Sequence, residues 1–404
     1  MSLPPLTPGQ QIKPRRFELR ISLLFAALFI PAGVHLPYFP LWLKDAGFDA
    51  AAIAVILSAP MFLRVVTTPF ITAFADRAPD RAYVLIAIVA ASLLFSFGYF
   101  ASSTYGWVLG VSLILAVVWT PHAPLTDSLA LSGVRRFGAD YSRMRIWGSA
   151  AFLIANLAGG AVLSVLGVNA LPVLITMGFA LTLAAAIGAP RLGRPRLPSP
   201  LSAAEFQDRA PSLLTPAFVW FVAGAGIITA SHGFNYGFSS IYWASLGIAE
   251  STIGLLWACG VLAEVGVFFV FTRIFGRVSP TRVLMMAGAG AVLRWTLFPF
   301  VWSAGLGVPG FFVVQSLHAI STGLVLLGVQ KMIAETVPDH RFGAAQGMAF
   351  FANGFAMAAV TLASGSLYEN FGVDAYFVMS VVAAAGLLCL AAGVYSSPKS
   401  RLRR

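Results

Sequence analysis

Apolar residues in this chain neither alternate nor recur at helical spacing; they run together. Twelve such stretches, at about 21–43, 51–75, 82–102, 106–132, 146–168, 170–190, 216–246, 251–272, 283–303, 308–330, 342–367 and 373–396, are broken only by isolated polar side chains. About 20 consecutive apolar residues carry an α-helix across bilayer hydrocarbon, and a helix apolar all round has no polar face to turn to water. The pattern predicts an all-α membrane protein of twelve transmembrane helices in two six-helix halves. The proline-rich, charged interval 191–215 separates the halves. It reads as a cytoplasmic linker between an N-terminal half, 1–190, and a C-terminal half with a basic tail, 216–404. The first stretch exceeds the 7–15-residue core of a signal peptide and lacks an Ala-x-Ala cleavage site, so it is expected to be retained.

Charge sets the orientation. Intervals after even-numbered stretches hold Arg77, Arg81, Arg135, Arg136, Arg143, Arg191, Arg273, Arg277, Arg282, Lys331 and Arg341, and both tails are basic. Intervals after odd-numbered stretches hold Lys44 among the acids Asp45, Asp49, Glu250, Glu369 and Asp374. Basic loops stay cytoplasmic, so both termini are expected there, with the chain in the inner (plasma) membrane. Composition agrees: 58 % of residues are hydrophobic and 10 % charged, against about 25 % charged in soluble domains. The net charge of +11 is spread through short loops and the tail, so membrane lipid rather than nucleic acid is the partner it implies. Cys259 and Cys389 both lie in apolar stretches, which leaves no disulfide framework and no CxxC metal site.

The candidate chemistry lies in the interruptions. A charged side chain deep in hydrocarbon costs several kcal/mol unless it is paired, neutralised or facing a cavity. Glu264 sits about 18 Å from Thr252 and about 13 Å from Arg273 along an ideal helix. Arg294 and His318 interrupt the next two stretches. An acid, a fixed cation and an imidazole on three successive helices are the expected proton-coupling group; a purely structural ion pair is the alternative. Arg64 lies about 18 Å from Asp76, beyond easy snorkelling, and needs a partner or an aqueous cavity. Asp127 and Arg145 fall at comparable depths on adjacent antiparallel stretches and are expected to pair. In the seventh stretch Ser231, Asn235 and Ser239 recur every four residues on one face, which suggests a wet face beside His232 and Tyr236. His35 is a cavity candidate, and Gln315 precedes His318 by about a turn.

Other matches fail on context. Gly305–Gly310 fits GxGxxG but joins two membrane helices and follows no strand, so no dinucleotide site is expected. There is no Gly-Lys dipeptide for a phosphate-binding loop, and neither HExxH nor GxSxG occurs. No enzyme, cofactor or metal is implied.

The layout resembles the major facilitator superfamily, and several stretches resemble its lactose-permease-like branch. Leu36–Asp45 is similar to that branch's first-helix ending. Asp76-Arg77 and Arg273–Arg277 stand where the superfamily has its charged loop motif, with Thr72 in place of the leading glycine. Tyr141–Gly148 resembles the fifth-helix opening, and Arg145 matches the branch's substrate-binding arginine. Asp127 matches its paired glutamate, and Phe152 stands at its sugar-stacking tryptophan, which speaks against a galactoside. Leu284–Arg294 and Leu317-His318 match the buried arginine and coupling histidine. Ser321 occupies the position of the proton-carrying glutamate. Val261 occupies that of the eighth-helix glutamate, with Glu264 one turn along. Gly254–Glu264 is closest in type to phenylpropionate transporters.

The resemblance and the polar interruptions together imply a monomeric, proton-coupled secondary transporter, with a small-molecule substrate between the two halves. Arg64, Asp127, Arg145, Phe152, Asn235, Gln315 and His35 are the substrate-binding candidates; Glu264, Arg294 and His318 are the coupling candidates. Three arginines against two acids leave a surplus positive charge, so a monocarboxylate, such as an aromatic acid, is the expected substrate. A sugar or nucleoside symporter and an efflux antiporter are the alternatives.

Overall fold

Helix is the only regular structure among the described residues of the computed structural model, which are 12–193, 215–337 and 341–396. The chain start, residues 194–214 of the predicted linker and the basic tail lie outside them. An all-helical fold follows from the solvent: in lipid every backbone N–H and C=O needs a partner within its own segment.

In chain order, α1 is Phe17–Asp45, α2 Ala50–Arg77, α3 Arg81–Ser96, α4 Tyr105–Trp119, α5 His122–Phe137, α6 Tyr141–Leu166 and α7 Leu171–Ile187. Then come α8 Pro216–Ala230, α9 Gly233–Ser245, α10 Glu250–Phe275, α11 Pro280–Leu297, α12 Phe300–Ser303 and α13 Gly307–Ser316. The last three are α14 Leu324–Thr336, α15 Phe342–Phe371 and α16 Ala375–Ser396. Among the described residues ten helical stretches are long and apolar enough to cross a membrane. The last of these, Ala344–Ser396, contains both α15 and α16, while the segment of α11 and α12 is not among them.

Several predicted spans prove to be broken. Between α4 and α5, Pro121 has no N–H to continue the ladder, and Pro299 does the same between α11 and α12. The break between α8 and α9 has no proline. There the Ser231 hydroxyl donates to the Ile228 carbonyl at 2.7 Å, and the His232 ring lies 3.1 Å from the Thr229 carbonyl. Side chains thus occupy carbonyls that the helix would otherwise use. Between α13 and α14, Ala319–Gly323 forms a π-helical turn.

Backbone contacts divide the chain into two compact units. The first comprises α1, α2 from Ala59 onward, α3 to α7, and the first turn of α10. Its core gathers Phe17, Ile21, Leu24 and Phe25 of α1 with Leu125 and Leu129 of α5 and Met144 of α6. Gly133 lets the Phe17 ring lie directly on the α5 backbone, since a Cβ there would fall 2.1 Å from it. The second unit comprises the first turns of α2, α8 and α9, the remainder of α10, and α11 to α16. Here α8 packs on α15 and α16, and α11 packs on α14, α16 and the π turn. Gly224 and Gly386 allow the α8 and α16 backbones to meet closely, as small residues do in membrane bundles.

Candidate functional site

The second unit holds a buried polar network around Arg294 of α11. Arg294 is fully buried, and its guanidinium lies 4.4 Å from the centre of the Trp295 ring. Nη2 donates to Gln315 Oε1, whose amide donates to the Leu256 carbonyl at 3.2 Å. Nη1 lies 3.0 Å from His318 Nδ1 and 3.3 Å from Ser321 Oγ. A guanidinium only donates, so His318 Nδ1 is the accepting nitrogen. The imidazole proton then sits on Nε2, which faces Glu264 Oε2 of α10 at 3.2 Å. The structure thus joins Glu264, His318, Arg294 and Gln315, with the imidazole between acid and cation. Among the described residues Arg294 touches no carboxylate directly, and its Nε has no partner. A buried guanidinium held mainly by neutral acceptors is costly.

Backbone shape makes the network possible. His318 precedes the π turn and Ser321 lies within it; such turns recur at functional sites because they widen the helix and redirect side chains. Gly260 leaves room for the His318 ring on α10, and Gly323 for the Glu264 stem. On the far side, Ser321 Oγ lies 3.0 Å from His232 Nε2 at the α8–α9 break. His232 and Ser321 are both fully buried. Sequence reasoning placed neither of them in the site. The available signal was the absence of a carboxylate at position 321, which leaves the arginine needing another acceptor.

In the first unit the expected Asp127–Arg145 pair is not a direct ion pair. The Tyr141 hydroxyl donates to Asp127 Oδ1 at 2.9 Å and is also within reach of Arg145. Arg145 turns instead onto aromatic faces, its guanidinium 4.3 Å from the centre of Phe29 and 5.5 Å from that of Phe25. Tyr141 is one turn before Arg145 on α6, so its hydroxyl comes within reach of both the acid of α5 and the guanidinium. Arg64, half-buried on α2, makes no hydrogen bond or ion pair with another described residue. His35 is stacked on Phe39 at 4.3 Å and meets Trp119 edge-on at 5.2 Å. Phe152 is half-buried, and its carbonyl abuts Gly33 of α1.

The seventh-stretch stripe departs most from expectation. Ser231, Asn235 and Ser239 are buried rather than wet. Ser231 accepts from Trp295 Nε1 at 2.9 Å, and Asn235 accepts from the Tyr376 hydroxyl at 3.1 Å. They join α8 and α9 to α11 and α16, a use of polar side chains open to any membrane bundle.

Helices long and apolar enough to span a membrane, together with an acid–imidazole–guanidinium network whose cation is buried and whose acid is partly exposed, define a multi-pass membrane protein of the transporter type. The chain belongs to the MFS_1-like family, whose model matches residues 18–379. It is 28 % identical over 370 residues to the "Probable 3-phenylpropionic acid transporter" of Escherichia coli (strain K12), covering 90 % of this chain and 94 % of that one. It is 25 % identical over 379 residues to the maltose permease of Geobacillus stearothermophilus, covering 93 % and 92 %. Among solved structures, the nucleoside transporter NupG superposes with a TM-score of 0.74 at 17 % identity, covering 94 % of this chain and 99 % of that one. These relatives are transporters, not enzymes.

Proposed function

We propose that this major facilitator protein is a proton-coupled symporter of a small monocarboxylate with an aromatic body. Twelve spans in two six-helix halves cross the inner membrane, with both termini cytoplasmic, and the protein works as a monomer. The observation that carries the reading is the Glu264–His318–Arg294 network. A carboxyl group able to gain a proton is held one imidazole away from a buried cation, so protonation changes the charge balance of the whole network. Protonation of Glu264 from the outside is favoured by low external pH. Uptake at fixed internal pH therefore rises as external pH falls.

Charge supports an anionic substrate. Arg64, Arg145 and Arg294 stand against Asp127 and Glu264, a surplus of one positive charge with the histidines neutral, and of two once Glu264 is protonated. Uncompensated charge in a low-dielectric site is costly, and a carboxylate meets guanidinium in bidentate geometry. Arg64, free of other described partners, is the residue assigned to that carboxylate. Asp127, Arg145, Phe152 and His35 line the same binding region. The similarity to a 3-phenylpropionic acid transporter agrees with this class. The maltose permease relative favours a second reading, symport of a neutral sugar. The test is uptake of labelled 3-phenylpropionate into proteoliposomes with an imposed pH gradient, competed by excess unlabelled aromatic acids or by maltose. Competition by acids alone supports the proposal; competition by maltose alone overturns it.

A further inference from the structure

We infer that His232 and Ser321 are positioning residues of the coupling site: with its proton spent on His232, Ser321 accepts from Arg294 and holds it where it fixes the tautomer of His318, so that Glu264 alone carries the coupled proton. This rests on the proton-coupled reading above and assigns within it which groups do not take part in proton transfer.

The direction follows atom by atom. His232 Nδ1 faces two backbone carbonyls, of Ile228 at 3.3 Å and Thr229 at 3.1 Å. Carbonyls only accept, so Nδ1 carries the proton and, in the neutral ring, Nε2 is a bare acceptor. Ser321 Oγ, 3.0 Å away, must donate its single proton there. Its lone pairs are then turned to Arg294 Nη1 at 3.3 Å. Nη1 spends its other proton on His318 Nδ1 at 3.0 Å. His318 therefore keeps its own proton on Nε2, pointed at Glu264 Oε2 at 3.2 Å. Two groups that act in one sense only set these directions: the carbonyls at the α8–α9 break orient His232 and Ser321, and Arg294 orients His318.

Such a chain cannot act as a proton relay. Arg294 sits in its middle and donates both ways, and a guanidinium does not give up its proton. A second proton on His318 would have to enter at Nδ1, against Arg294. One on His232 would enter at Nε2, with the two rings only 5.8 Å apart. The charged and titratable groups facing the network from the packed helices are Tyr236 of α9, Cys259 of α10 and Tyr376 of α16, besides the two histidines and Arg294 itself. No described carboxylate other than Glu264 faces it, so an imidazolium would stand beside a guanidinium with one anion to serve both.

The test needs no substrate. In purified full-length protein in nanodiscs, the Glu264 carboxyl band is titrated by infrared spectroscopy and assigned by its loss in Glu264→Gln. The 15N signals of His232 and His318 are followed over the same pH range and assigned by their loss in the Gln variants. Both histidines are expected to stay neutral, each in its single tautomer, while Glu264 titrates. Glutamine can accept and donate in the same sense as these rings, so His318→Gln and His232→Gln should leave the Glu264 midpoint nearly unchanged. Ser321→Ala and His232→Phe break the chain and should shift it by about one pH unit, tenfold in proton affinity, with Ser321→Thr restoring it. An imidazolium signal from either histidine within the titration range would overturn the inference. So would an unmoved midpoint in folded Ser321→Ala and His232→Phe. A Glu264 carboxyl that never titrates would instead sink the proton-coupling reading itself.

Discussion

At the scale of single residues, donor and acceptor counts decide more than distances do. Arg294, His318 and Glu264 were legible in the sequence because a charge inside an apolar run is costly and therefore conspicuous. Tyr141, His232 and Ser321 were not. Each is a residue type common in membrane helices, and its role depends on which neighbour the packing brings near. Tyr141 accounts for the failure of the direct Asp127–Arg145 pair: its hydroxyl reaches Asp127 at 2.9 Å, so Arg145 is left to aromatic faces. Tyr141→Phe should leave a part-buried acid one donor short, at about 1 kcal/mol, and lower initial uptake rates several-fold while the variant still folds. Arg64→Gln should weaken apparent affinity for an aromatic carboxylate by tenfold or more, the worth of a charge-assisted hydrogen bond at about 1.5–3 kcal/mol. Initial uptake of labelled 3-phenylpropionate into proteoliposomes checks the first, and equilibrium binding in detergent checks the second without a gradient.

At the scale of elements, what the sequence revealed depends on which residues cause the irregularity. The breaks at Pro121 and Pro299 carry their own marker. The α8–α9 break and the π turn of Ala319–Gly323 do not, because they arise from side-chain competition for carbonyls and from packing on α11. The same blindness turned buried Ser231, Asn235 and Ser239, the first two of which tie helices together, into an expected wet face: a period of four identifies a face without saying what covers it. The π turn is seated against Gly290, where a Cβ would fall 2.4 Å from Ile320. Gly290→Val should push the turn off α11, destabilise the protein by about 1–3 kcal/mol and impair coupled uptake. Thermal unfolding and proteoliposome uptake, measured side by side with Gly266→Val at a position with open space around it, separate this contact from a general cost of valine.

At the scale of the whole molecule, the apolar runs and the sidedness of charge in the loops made a many-helix membrane protein plain, because the bilayer imposes length and orientation directly on composition. The superfamily followed from local resemblance and is now shown by the family match over 18–379. Substrate and coupling were less legible, since they depend on a few side chains whose partners come from distant parts of the chain. The central claim is that Glu264 carries the coupled proton. It is tested most directly by comparing wild type and Glu264→Gln in proteoliposomes, in gradient-driven accumulation of 3-phenylpropionate and in exchange at equal pH. The account predicts that Glu264→Gln loses uphill accumulation and its dependence on external pH but keeps exchange. Full uphill accumulation by Glu264→Gln would contradict it.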